Sequence, residues 1–154
     1  MSRVETSLRH PGTGRLAAVL QVRDFEGASP VSVAAGKYIL VIASERQTVS
    51  LGTKTARAWV DAGASYICAW GPDSEAVEET FDYASFLPEL GEPLPFTLMT
   101  TSHRDETPEE ALWFAFYNAT PPDDLDHELT SVVIVVDSDS IEATCIAWVE
   151  ENNE

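Results

Sequence analysis

An α/β fold is what this sequence predicts: a three-layer sandwich whose mostly parallel central sheet of four or five strands is Rossmann-like or flavodoxin-like. Three observations carry that expectation. Residues 131–137, SVVIVVD, set five consecutive β-branched apolar residues ahead of an aspartate, the pattern of a strand buried on both faces in the middle of a parallel sheet. Three further segments share its shape: YILVIA at 38–43, SYICAW at 65–70 and FTLMTT at 96–101. Each is followed by a helical pattern, so strands and helices alternate along the chain.

In order, residues 1–14 hold Pro11, Gly12 and Gly14 and no apolar period, which reads as a loose arm. LAAVLQVRDF at 16–25 is either an edge strand or a short helix, since its apolar residues cluster without choosing a period, and the strand is the reading preferred. Residues 1–30 are therefore expected to form an N-terminal arm with a possible edge strand, and residues 31–154 a single α/β domain. Val31 to Gly36 lead into the strand at 38–43. Val49, Ala56, Trp59 and Val60 can share one face of the next helix, which should end at Ala62 before Gly63. Asp73 or Ser74 can cap the helix that follows, with Glu75, Glu78 and Glu79 in its first turns, where the dipole favours acids. The prolines and glycine of 88–95 form a non-helical connection. Thr107, Pro108 and Glu110 make the strongest local signal, an N-cap, a proline at the first helical position and a capping-box glutamate, for a helix to about Asn118. After the strand at 131–137, a last helix carries Ile141, Cys145, Trp148 and Val149 on one side, with a hairpin as the rival. The four tryptophans, Trp59, Trp70, Trp113 and Trp148, fall at positions expected to face inward.

Composition narrows the class. The chain has 154 residues and is 44% hydrophobic, which suits one globular domain rather than a disordered chain. No apolar run reaches the length of a membrane span, and MSRVETSLRH lacks the apolar core of a secretion signal. A cytoplasmic protein with no membrane association is expected. Cys68 and Cys145 sit in apolar segments without metal-type spacing and read as buried thiols. Charge is unevenly placed. Residues 1–57 carry eight of the nine Lys and Arg against four acids, whereas residues 58–154 carry Arg104 alone against 22 acids. So lopsided a field repels nucleic acid; it either serves solubility alone or meets a basic partner or a cation.

Parallel strands joined by helices open their carboxyl ends on one edge of the sheet, where a small-molecule site would lie. Loops arriving there bring Glu45 and Arg46, Asp73 and Ser74, His103, Arg104 and Asp105, then Asp137 and Asp139. VVIVVDSDS resembles the nucleophile motif of haloacid dehalogenase-type phosphatases, which implies an attacking Asp137 and Mg²⁺ held with Asp139. The resemblance spans nine residues, and no lysine follows Lys54, so that family's downstream phosphate-binding lysine has no counterpart. Helix capping by Ser138, Asp139 or Ser140 accounts for the same residues. His103 beside Arg104 could bind an anion or move a proton, or could simply be a loop histidine next to the one cation that relieves Asp105, Glu106 and Glu109. Gly-rich phosphate loops are absent from the sequence, and no cofactor is implied.

Two functions of different class follow. The first is a non-catalytic acidic domain of the immunity, antitoxin or accessory-subunit type. It would dock on a basic protein through Glu75, Glu78, Glu79, Asp123, Asp124 and Asp126. The alternative is a small Mg- or nucleotide/phosphate-dependent enzyme using Glu45, Arg46, Asp73, His103, Arg104, Asp137 and Asp139.

Overall fold

The computed structural model describes residues 4–9, 15–28, 37–125, 129 and 131–151. Six strands, β1 (Val4–Arg9), β2 (Leu16–Gln21), β3 (Tyr38–Ala43), β4 (Ala64–Trp70), β5 (Met99–His103) and β6 (Ser131–Val136), form one sheet in the order β1-β2-β6-β3-β4-β5. From β2 to β5 all neighbours are parallel, and β1 lies antiparallel to β2. Among the described residues four α-helices accompany them: α1 (Thr53–Asp61), α2 (Ser74–Phe86), α3 (Pro108–Trp113) and α4 (Asp139–Glu151). This is the three-layer α/β architecture expected from the alternation, with five parallel strands at its centre.

The SVVIVV segment is buried at every position, as is YILVIA beside it. Neither strand has a polar face because helices cover both sides of the sheet. Burying each Val or Ile side chain contributes about 1.5–3 kcal/mol, so these two strands hold much of the core. Alternation along β5 shows which helices lie where. Thr100 meets α2 through Glu78 and Asp82, whereas His103 contacts Phe114 beyond α3. Residues an odd number apart in a strand point to opposite faces. α1 packs with α2 on one side, and α3 packs with α4 on the other.

Several elements depart from expectation. Residues 4–9 are a strand, not part of a loose arm, and β2 is an interior strand paired to both β1 and β6. β1 and β2 thus belong to the same sheet as the four later strands. β5 begins three residues later than FTLMTT suggests, because the Thr97 amide donates to Asp124 at 3.0 Å and Phe96 is buried under Lys37, whose ammonium sits 5.2 Å from the ring centre. Asp73 does not cap α2 with its side chain; its carboxylate instead accepts from the Val49 amide at 2.7 Å. Trp113 is exposed rather than internal, while Trp59 is buried.

Other signals match. Thr107 and Glu110 form the reciprocal capping box, with bonds of 3.1 and 2.8 Å. Beyond Trp113 the helix widens into a π turn over Phe114–Asn118, closed by Ala119 N–H on Phe114 C=O at 2.9 Å. Residues 139–151 are helix, not hairpin, and Ser138 Oγ accepts from the Ile141 amide at 3.3 Å as its cap. Val31 to Gly36 and Asp126 lie outside the described residues. No described helix is long and apolar enough to cross a membrane.

Candidate functional site

β6 enters the sheet between β2 and β3, so the chain leaves β3 toward one layer of helices and leaves β6 toward the other. The carboxyl ends of those two strands form the topological switch point where α/β sheets commonly bind ligands. Ser44 and Asp137 are the first residues past the strands, and the hydroxyl of Ser44 donates to Asp137 Oδ2 at 2.7 Å. Arg46 adds an ion pair, its Nε 3.3 Å from the same oxygen, with the Asp137 side chain only 2% exposed and that of Arg46 49%. Arg46 also donates to Arg23 C=O at 3.1 Å, and Gln21 Nε2 donates to Asp139 Oδ1 at 2.8 Å. A buried carboxylate held by a hydroxyl and a guanidinium is electrostatically satisfied, and these bonds lace β2, β6 and β3 together. Glu45 projects into solvent beside them.

Gly71 closes this end of the sheet from the β4 side. Its φ of +119° and its approach to the β3 loop admit no side chain: a Cβ there would lie 1.8 Å from Ser44 C=O. Ser44 N–H in turn donates to Trp70 C=O at 3.2 Å.

His103 belongs to a different place. It ends β5, three strand spacings or about 14 Å from β6, so His103 and Arg104 do not converge with Asp137. Its ring is buried against Phe114, with centroids 4.9 Å apart. Nε2 is 2.9 Å from Thr101 Oγ1 and Nδ1 3.0 Å from Glu106 Oε2. Both ring nitrogens are thus engaged, and the Glu106 C=O is itself fixed by Trp70 Nε1 at 2.6 Å. Thr101, His103 and Glu106 line up as hydroxyl, imidazole and carboxylate. The residues that sequence reasoning missed here are Thr101 and Glu106. The only signal was spacing, two residues along a strand and three across a turn, and a strand ending at 101 conceals it. Arg104 turns away to Glu75, 3.6 Å distant, with both side chains exposed.

Of the predicted partner-binding acids, Glu78 and Asp124 bond to the same outer strand or its approach, and Asp82, not among those predicted, joins them. Glu78 and Asp82 both reach the Thr100 hydroxyl, at 3.3 and 2.7 Å. Asp124 takes the amide and hydroxyl of Thr97 at 3.0 and 2.8 Å, and those two bonds hold its carboxyl below the usual value of 3.8. Glu79 and Asp123 are exposed. Beside them a cleft of about 480 Å³ is lined by Tyr66, Met99, Pro121, Pro122, Asp123 and Asp124, among others.

Cations in the described chain serve other ends. Arg57 is buried, donating to Ala84 C=O at 3.3 Å and Glu92 C=O at 2.6 Å besides pairing with Asp61 at 3.0 Å. Arg15 donates to Ala115 and Phe116 C=O, both at 2.9 Å. Each guanidinium thereby satisfies the orphan carbonyls at a helix's carboxyl end. Burial pushes the Cys68 thiol up to about 12, with a smaller push from Glu106 against a lowering bond to Thr101; burial does the same to Cys145, helped by Glu109 and Glu142. Neither is a nucleophile at neutral pH. Among the described residues, no group of three His, Cys, Asp or Glu is arranged to hold a metal ion.

Comparison with known families places residues 15–152 in the one described as "Domain of unknown function (DUF7684)". No curated protein and no solved structure matches the chain.

Proposed function

Since the chain belongs to the family described as Domain of unknown function (DUF7684), whose description assigns no activity, we propose from the distribution of charge that it is a non-catalytic acidic domain that docks on a basic protein. One observation carries the reading. Arg15, Arg46 and Arg57 donate to backbone carbonyls, while among Glu75, Glu78, Glu79, Asp123 and Asp124 the one described ion pair is that of Glu75 with Arg104. Carboxylates so placed create a negative surface that accelerates encounter with a positive one. The enzyme alternative draws less support, because Asp137 is occupied by Ser44 and Arg46 and His103 by Thr101 and Glu106.

The test is to purify the partner on the immobilised protein and then measure association of the two pure components. The expected partner has an excess of Lys and Arg. Its association rate should fall by about tenfold or more from low to high salt, and Glu75→Lys with Glu79→Lys should slow it further. A rate indifferent to salt and to both substitutions would sink the proposal. Heat evolved on titrating Mg²⁺ with nucleotides, abolished by Asp137→Asn, would favour the enzyme instead.

A further inference from the structure

We propose that the outer margin of β5 takes up an extended segment of the basic partner as an added strand, one that alternates Lys or Arg with apolar residues. This rests on the acidic docking reading and names the surface and the chemistry of the occupant.

β5 ends the sheet. It pairs with β4 on one side, and among the described residues no strand pairs on the other. Each strand at a sheet margin turns a row of backbone N–H and C=O groups outward, which is a template for another strand. Five residues span about 17 Å, enough for a short ladder.

What flanks the margin differs between its two faces. On the α2 face, Glu78 and Asp82 converge on the single hydroxyl of Thr100, at 3.3 and 2.7 Å. One hydroxyl has one proton to donate, so the second carboxylate is left without it, and no described cation pairs with either of them. A Lys or Arg from an added strand would sit between them and relieve their repulsion. On the opposite face, Met99 is 38% exposed and the cleft of about 480 Å³ begins, with Tyr66, Pro121 and Pro122 in its wall. An apolar side chain fits there. Because successive residues of a strand point to opposite faces, one basic and one apolar position in alternation satisfy both sides at once. Asp123 and Asp124 extend the negative charge past the amino end of the strand.

A second copy of this chain is the natural competitor for an open margin. It would set its own Glu78 and Asp82 against these, like charge on like charge, which disfavours self-pairing. Nucleic acid is repelled by the same groups. The carboxylates thus close the margin to the chain itself while leaving it open to a basic strand.

The probe is a synthetic octapeptide of alternating Lys and Val, compared with two analogues of equal charge, one N-methylated at every Val and the other at every Lys. Polylysine serves as the control for charge alone. Amide hydrogen exchange of the intact protein is followed residue by residue at low salt. The parent peptide should slow exchange within Met99–His103 by about tenfold. One of the two analogues should bind at least about tenfold more weakly, and the paired variant Glu78→Gln with Asp82→Asn should weaken the parent similarly while melting as the original does. Equal binding by all three peptides, with no protection in β5, would overturn strand addition and leave acidic docking intact. Failure of polylysine as well would remove both. Protection of β5 by the protein alone, rising with its concentration alongside a dimer in sedimentation, would assign the margin to a second copy and overturn the proposal.

Discussion

The two ends of this sheet's charge distribution are built on opposite plans. At the carboxyl ends of β6 and β3, Asp137 is buried and holds both a hydroxyl and a guanidinium, and Arg46 and Gln21 tie the neighbouring loops across strands. Around β5, carboxylates outnumber donors: Glu78 and Asp82 compete for one hydroxyl and Glu79 faces water. Paired, buried charge fixes a structure, whereas surplus exposed charge contributes little stability and makes a long-range field. The switch point, where fold analogy directs the eye, is here the seam that holds the sheet, and the field lies at the margin.

Substitutions can break that contrast. Gly71→Ala should have the largest effect, at least about 3 kcal/mol by chemical denaturation, since it adds a clash with Ser44 C=O to a backbone angle that alanine resists. A loss under about 1 kcal/mol would show the seam to be pliant. Ser44→Ala should cost about 1–3 kcal/mol because it strips a hydroxyl from a buried carboxylate; a neutral result would mean that Arg46 alone suffices. Asp124 gives a smaller, pH-dependent effect. Its carboxyl titrates below the ordinary 3.8, so its contribution is present above that value and is lost as pH falls through the lower folded one. Asp124→Asn should therefore lower the melting temperature at pH 7 and leave it nearly unchanged near pH 2. At the bottom of the scale, Glu79→Lys should alter stability by no more than about 0.5 kcal/mol. If it destabilises strongly, the margin is structural and the contrast fails.

Legibility followed the same division between local and distant interactions. Thr107, Pro108 and Glu110 announce α3 because a capping box is made within one turn, and SVVIVV announces a buried strand because five β-branched residues suit little else. β1 was hidden, since VETSLR has two separated apolar residues and gains its order by pairing with β2. Phe96 and Leu98 look like strand residues and draw the expected start of β5 forward, although Asp124, 27 residues away, takes the Thr97 amide. A strand ending at Thr101 would put His103 in a loop, whereas β5 runs to His103 and aligns it with Thr101. The union of Ser44 with Asp137 depends on β6 lying next to β3, a strand order that no local pattern encodes. The acids are the exception: their number is plain in the sequence, and only the meeting of Glu78, Asp82 and Asp124 at Thr97 and Thr100 requires the fold.

The place of β6 between β2 and β3 also bears on how the molecule is made. When the ribosome has delivered everything through β5, two strands of the future centre stand apart with a vacant slot between them, their inward edges unsatisfied. The most apolar strand is thus synthesised after the walls it must slide between. Closure of such a sheet waits on a contact distant in sequence and is slow for that reason. Until it happens the nascent chain presents open edges, the condition in which trapping by chaperones, or by a neighbouring chain, competes with folding.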